Sequence, residues 1–279
     1  MTNKLLNNEI NFSINICCYN SSKFIASTLN SIILQKYDNW EIIIIDDGST
    51  DETKQIILKY QKKYKNIRYF YHENKGYAFS RNKAITLSKS DWIVILDHDD
   101  ISCKNRLINH YNAIKSNPNC LFFFNDAFYY KSNKIKYSRF NYILNKYHYS
   151  VADLNLKKIS AYNYLLKYGC FINTSTVLFN KKIITKENIR FNTNYKFICD
   201  YLFFLEISKN YNMHASKEVT TIYRLHDKQT SNRYTKSIYL EHHTLYKSIY
   251  LQKNVFISSK IRIFFRHVIM LIKYCLTIK

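Results

Sequence analysis

The chain has 279 residues, of which 47% are hydrophobic, and its 42 Lys and Arg against 20 Asp and Glu give a formal net charge of +22. That length and apolar content supply a full buried core, which excludes a peptide hormone, a disulfide-stapled miniprotein and a disordered tail. The 7 scattered cysteines, with only Cys17 and Cys18 adjacent, follow no disulfide or zinc spacing and read as the reduced thiols of a cytoplasmic protein.

From Phe12 to about Phe128, short apolar runs alternate with longer amphipathic stretches, the pattern of βα units around a parallel sheet. Strands are predicted at Ser13–Cys18, Glu41–Asp46, Ile67–His72, Trp92–Asp97 and Leu121–Phe124. Asn20 or Ser21 is positioned to cap a first helix whose Phe24, Ile25, Thr28, Leu29, Ile32 and Ile33 share a face. Asp51 and Glu52 put negative charge at the start of a second, buried through Ile56, Ile57 and Tyr60. Further helices are expected over Tyr77–Ser88 and Lys104–Ser116, the latter stopping before Pro118. Near Lys131 the pattern loosens, Thr174 to Phe179 alternates like a strand, and Tyr201–Ser208 reads as an apolar helix. The expected fold is thus α/β, a doubly wound, mostly parallel sheet, with residues 10–130 as one half, 131–240 as a looser second half and 241–279 as a helical C-terminal segment.

The run Trp92–Leu96 ends abruptly in Asp97-His98-Asp99-Asp100, three carboxylates within four residues. Carboxylates that close repel one another unless a cation holds them, and the carboxyl ends of the strands are where open α/β sheets bind ligands. A second acidic turn, Asp46-Asp47-Gly48-Ser49-Thr50-Asp51, follows the Ile42–Ile45 run at the same sheet edge. Alone it reads as a strand-to-helix turn; beside the first it describes a nucleotide-diphosphate pocket, with a carboxylate for a pyrimidine N–H and a metal for the diphosphate. Only three glycines occur, and two of them, Gly48 and Gly76, fall in turns at this edge.

Four segments in register, Ile16-Cys17-Cys18-Tyr19-Asn20, Ile45 to Asp51, Asn74-Lys75-Gly76 with Ser80-Arg81-Asn82, and Leu96 to Asp100, resemble the family 2 glycosyltransferases of GT-A fold over roughly residues 10–130. The resemblance implies an inverting transfer of a sugar from a nucleotide diphosphate, UDP by the match at Tyr19 and Asp47, to a glycan or lipid-linked acceptor in bacterial surface polysaccharide synthesis, with Mn²⁺ or Mg²⁺. It implies Cys17, Tyr19, Asp47, Gly76, Arg81, Asp97 and His98 around the nucleotide sugar, and Asp99, Asp97 and His226 as metal ligands. His98 stands where the family often has a small residue or Pro. The segment Lys196 to Leu205 resembles the acidic motif that supplies the catalytic base; Cys199-Asp200 replaces the usual Glu-Asp, leaving Asp200 as the base. Tyr223 to Ser231 resembles a segment closing over the donor, with Lys228 and Arg233 as sources of positive charge for the leaving diphosphate.

Two other readings stay open. A sugar nucleotidyltransferase would carry a Gly-rich phosphate loop near the N-terminus, where this chain has Cys17 to Ser22. A catalytically dead transferase fold that binds membranes or other anions would have no reason to keep Asp97, Asp99, Asp200 and His226. No recognition helix, zinc finger or aromatic sheet signature accompanies the charge, so nucleic acid is not the expected partner. Met1–Glu9 lacks the apolar core of an export signal, and no apolar stretch reaches the length of a membrane span. The expected location is the cytoplasm. Val255–Lys279 mixes apolar residues with Lys260, Arg262, Arg266 and Lys273, which fits either a basic amphipathic helix on the anionic inner face of the cytoplasmic membrane or a helix packed on the domain.

Overall fold

The computed structural model describes residues 10–132, 134–147, 155–156, 158–227, 229–251 and 257–276. Met1–Glu9 and Lys228 lie outside them. In chain order the elements are β1 (Phe12–Cys18), α1 (Ile25–Ile33), β2 (Trp40–Asp47), α2 (Thr53–Lys63), β3 (Ile67–His72), α3 (Tyr77–Leu87), β4 (Trp92–Ile95), β5 (Ile101–Ser102), α4 (Arg106–Ser116), β6 (Phe122–Lys131), β7 (Lys134–Ser138), α5 (Arg139–Tyr147) and β8 (Asn155–Leu156). There follow α6 (Lys158–Tyr168), a 3₁₀ turn (Thr174–Thr176), β9 (Leu178–Asn180), α7 (Lys182–Glu187), α8 (Cys199–Asn210), β10 (Met213–Arg224), α9 (Thr230–Arg233), α10 (Thr235–Tyr250) and α11 (Ile257–Leu276).

One sheet carries the molecule, in the order β3-β2-β1-β4-β9-β6-β10-β5. β1 pairs in parallel with both β2 and β4, and β2 with β3, so four strands point their carboxyl ends the same way. β9 inserts antiparallel between β4 and β6, and β10 then runs parallel to β6. The sheet is therefore continuous through residue 131, where the hydrophobic pattern loosens.

The apolar run Ile42–Ile45 is buried on both faces. Ile42 and Ile44 face α1, α2 and α4 through Leu29, Ile32, Ile57 and Leu107, whereas Ile43 and Ile45 face α3 through Ala84. Beyond β4 the second face is filled by Phe122, Phe124 and Phe179 against Phe203 and Phe204 of α8, Leu165 of α6, Tyr246 of α10 and Ile263 of α11. Burial on both faces is what makes these strands read as unbroken apolar runs.

Two local expectations change. The segment Thr174–Phe179 is not one strand: Asn173 accepts a hydrogen bond from the Ser175 N–H and caps a 3₁₀ turn, and only Leu178–Asn180 extends. Asn20 and Ser21 do not cap α1 with their side chains; Asn20 has φ 50° and its Oδ1 accepts from Thr50 N–H at 2.8 Å, tying the end of β1 to the turn after β2.

The C-terminal segment packs on the domain. Ile263 is buried, Arg266 Nη1 donates to Tyr246 Oη at 3.0 Å, and the His267 ring lies 4.0 Å from that of His243. Among the described residues no helix is long and apolar enough to cross a membrane.

Candidate active site

The acidic turns and the acidic helix start meet at the carboxyl edge of β1, β2 and β4. Asp46 and Asp47 close β2. Asp46 is fully buried; its Oδ1 accepts from Ser49 N–H at 2.9 Å and its Oδ2 from the Tyr69 hydroxyl at 2.8 Å, so it builds the turn. Asp47 reaches across to the turn before α3, accepting from the N–H groups of Lys75 at 2.8 Å and Gly76 at 3.0 Å, with His72 Nδ1 at 3.3 Å. Gly76 adopts φ 88° to aim that N–H, a left-handed conformation that costs glycine little. Tyr19, just past β1, is 46% exposed. Cys17 is buried, its thiol pushed up to about 12, and its carbonyl oxygen lies 3.2 Å from His98 Nδ1.

Asp97 and Asp99 turn to different partners. Asp97 Oδ1 accepts from the Tyr77 hydroxyl and from Arg81 Nη2, both at 2.9 Å, and its backbone N–H donates to Ser175 Oγ. Tyr77 and Arg81 stand four residues apart on α3, one turn along the same face, so one helix supplies both groups. Asp99 Oδ2 lies 2.8 Å from His226 Nε2. Burial pushes the Asp99 carboxyl up, but His98 and the bond from His226 outweigh it and hold the group below the usual range.

Asp100 is buried outright, and its carboxyl is pushed well up by burial and by the Asp99 and Asp97 charges. It orients β10 instead of a ligand, accepting from the Arg224 N–H at 3.2 Å. The Arg224 guanidinium donates to the Asp99 carbonyl, to Ser27 Oγ at 2.6 Å and to Thr28 Oγ1 at 3.0 Å. Thr28 in turn donates to the carbonyls of His98 and Asp100, each at 2.8 Å. The acidic turn is thereby pinned between α1 and the end of β10, two residues before His226.

Asp200 lies in the first turn of α8. Its Oδ1 is 3.1 Å from Arg81 Nε, and its Oδ2 accepts from Thr174 Oγ1 at 2.9 Å. Burial raises its affinity for a proton, Arg81 opposes that, and the Asp97 charge adds to it; the balance lies above the ordinary carboxylate value. The Asp200 side chain remains 26% exposed. Arg81, 4% exposed, is held charged by Asp200 and Asp97 in spite of burial, and its guanidinium stacks over Tyr77 at 4.5 Å.

Thr174, Tyr77, Ser175 and Arg224 escaped the sequence reading. The spacing of Tyr77 and Arg81 after a glycine turn held a legible signal; the other three are brought in by strand order alone.

Among the described residues no three His, Cys, Asp or Glu side chains gather as a complete metal cage. Asp99 and His226 do converge, and a carboxylate with an imidazole suits Mg²⁺ or Mn²⁺, ions that commonly take one or two protein donors and fill the rest of their shell with phosphate oxygens and water. The pair fits a metal that arrives with a diphosphate.

Residues 13–184 match the model of Glycosyl transferase family 2. An uncharacterized glycosyltransferase of Rickettsia typhi is 29% identical over 223 residues, 79% of this chain and 65% of its own length; the chain thus spans under two thirds of that relative. The Escherichia coli UDP-Glc:alpha-D-GlcNAc-diphosphoundecaprenol beta-1,3-glucosyltransferase WfaP is 30% identical over 267 residues, 94% of this chain and 95% of its own. Among solved structures, Staphylococcus aureus TarS 1-349 in complex with UDP-GlcNAc superposes with a TM-score of 0.70 at 20% identity, covering 95% of this chain and 73% of that one. The mannosyltransferase PcManGT of Pyrobaculum calidifontis, in complex with GDP-Man and Mn²⁺, gives 0.61 at 13% identity over 92% and 68%. The sheet described above is shared with these GT-A structures.

Proposed function

The chain belongs to glycosyl transferase family 2, and from that membership we propose that it is a metal-dependent, inverting transferase moving a sugar from a UDP-sugar to a glycan or lipid-linked acceptor in bacterial surface polysaccharide synthesis. One observation carries the reading: Arg81 ties Asp97, at the end of β4, to Asp200, at the start of α8, beside the Asp99–His226 pair. Groups for the donor and a base for the acceptor are thus a single side chain apart.

In this reading Tyr19 and Asp47, at the carboxyl edge of β1 and β2 beside the Gly76 turn, take the nucleotide base, with Cys17 and His98 next to them. Asp97 orients the ribose or the metal. Asp99 and His226 hold Mn²⁺ or Mg²⁺, which supplies positive charge to the departing diphosphate. Arg233, in α9, adds to that charge from the protein. Asp200 accepts the proton of the acceptor hydroxyl as its oxygen attacks the anomeric carbon from the face opposite the leaving group, and a carboxyl held above its ordinary pKa is the better base for this. Thr174 fixes its orientation. The UDP assignment is supported by the donor in the name of WfaP and by the ligand of TarS; the lipid-linked acceptor is supported by WfaP alone. The exposed apolar side of α11 supports a peripheral seat on the inner face of the cytoplasmic membrane, which would bring the site to a lipid-linked acceptor. Incubating purified protein with a panel of nucleotide sugars, with and without Mn²⁺, tests the proposal: metal-dependent release of UDP from at least one donor is expected, and none from any donor refutes it.

A further inference from the structure

Four tyrosine rings form a continuous file from the acidic cluster to the surface. Tyr223 of β10 lies 4.7 Å from Tyr129 of β6, Tyr129 stacks on Tyr137 of β7 at 4.8 Å and 20°, and Tyr137 stacks on Tyr142 of α5 at 5.3 Å and 28°. The inner end abuts the site on two sides. Tyr223 directly precedes Arg224, whose N–H donates to Asp100 at 3.2 Å, and the Tyr129 hydroxyl is acted on by the side chain of Asn173, which caps the turn whose Thr174 holds Asp200. The outer end is open, with Tyr137 and Tyr142 each 38% exposed. Arg139 sits alongside, 5.9 Å from the centres of the Tyr129 and Tyr142 rings, locked by a bond to the Cys170 carbonyl at 2.9 Å.

Cross-strand packing accounts for Tyr223, Tyr129 and Tyr137, which are register partners across β10, β6 and β7. It does not account for the extension through Tyr142, nor for rings left open to water at the end of a file that starts beside the acidic turn. We propose that Tyr137, Tyr142 and Arg139 form an acceptor subsite that binds the saccharide residues behind the one receiving the new sugar. The proposal rests on the transferase reading for the word acceptor. A pyranose has an apolar C–H face and a rim of hydroxyls, and a tyrosine ring edged by its own hydroxyl and a guanidinium offers the matching pair. A polyprenyl chain would instead leave those hydroxyls and the Arg139 charge facing hydrocarbon.

A printed array of bacterial oligosaccharides probed with the 279-residue chain tests this without turnover, so it stands apart from the nucleotide-sugar panel. Wild type is expected to bind a subset of the saccharides. The Tyr137→Ala/Tyr142→Ala variant should bind them at least ~10-fold more weakly, and the Tyr137→Phe/Tyr142→Phe variant, which keeps both rings, within ~3-fold. If the double alanine variant unfolds, Tyr142→Ala alone, on an exposed helix position, carries the comparison. Wild type binding no saccharide, the alanine variants binding as tightly as wild type, or their losing sedimentation with polyprenyl-phosphate vesicles while keeping saccharide binding would overturn the proposal. With a turnover assay, the alanine variants should raise acceptor KM with kcat nearly kept, a split that a purely structural role would not produce.

Discussion

Arg81 and Asp200, 119 residues apart in the chain, form an ion pair buried on the Arg81 side and partly open at Asp200, with Asp97 as its second arm. Removing one partner of a fully buried pair costs ~3–5 kcal/mol, and this half-open one should cost less. Arg81→Leu should therefore lower the thermal midpoint and also move the chemistry. Without the guanidinium that opposes burial, the Asp200 carboxyl rises further. The acid limb of the pH–rate profile should shift to higher pH in the variant, and a limb that stays in place would separate Arg81 from the base.

Asp200 itself sets the sign of the pH dependence. Burial raises its pKa above the ordinary 3.8, and a base works only when unprotonated, so transfer should climb as pH rises through a value above 3.8. Asp200→Asn should lose ~10²- to 10⁴-fold in kcat together with that limb. UDP binding by calorimetry should survive, because in the proposed function the side chain serves the acceptor. A collapse of UDP affinity would reassign Asp200 to the donor.

The first half was legible because its signals are local. The runs that predicted β1, β2 and β3 lie within a residue of the strands formed, and Tyr77–Leu87 and Arg106–Ser116 match the predicted helices within two. Gly48, Gly76 and the acidic strand ends mark the site edge from the sequence alone. What stayed hidden is non-local. Nothing near Thr174 announces that its hydroxyl will meet a carboxylate 26 residues on, since that contact depends on β9 inserting between β4 and β6. The Thr174–Phe179 alternation mimicked a strand, but the Asn173 cap on the Ser175 N–H won the first turn. The file of tyrosines was invisible for the same reason, being assembled across three strands and a helix.

Gly48 and Gly76 should respond differently to the same substitution. Both have positive φ, 85° and 88°, so an alanine at either is strained by ~1 kcal/mol or more. At Gly48 a Cβ would also stand 2.8 Å from the Asn74 backbone nitrogen, whereas at Gly76 nothing lies within 4 Å. Chemical denaturation should show Gly48→Ala losing clearly more stability than Gly76→Ala. Equal losses would mean the Asn74 turn gives way freely.

Asp99 and His226 make a second test of the donor side. If they hold the metal that meets the diphosphate, calorimetry with UDP should show Mn²⁺-dependent binding in wild type. Asp99→Ala should abolish the dependence, leaving the weaker, metal-free affinity. His226→Ala, removing the imidazole and its 2.8 Å contact to Asp99, should weaken the Mn²⁺ dependence of UDP binding. Wild-type transfer by Asp99→Ala would refute the assignment.

The two readings of the C-terminal segment, packed helix and membrane-surface helix, concern different sides of α11. Its inner side is committed: Ile263 is buried, and Arg266 and His267 are engaged with α6 and α10. Its outer side leaves Ile261, Phe264, Phe265, Ile269 and Ile272 exposed on a helix whose sequence has four Lys and Arg and no Asp or Glu. Deleting the helix would confound the two by uncovering the core around Tyr246. Substituting only the outer side does not, since exposed positions away from special features change stability by about 0.5 kcal/mol or less. A Phe264→Ser/Phe265→Ser/Ile269→Ser variant should thus keep its thermal midpoint within a few degrees while losing sedimentation with phosphatidylglycerol vesicles. Because the attraction includes charge, wild-type sedimentation should weaken on phosphatidylcholine vesicles and at high salt. A triple variant that still sediments like wild type would mean that this side of α11 faces something other than lipid.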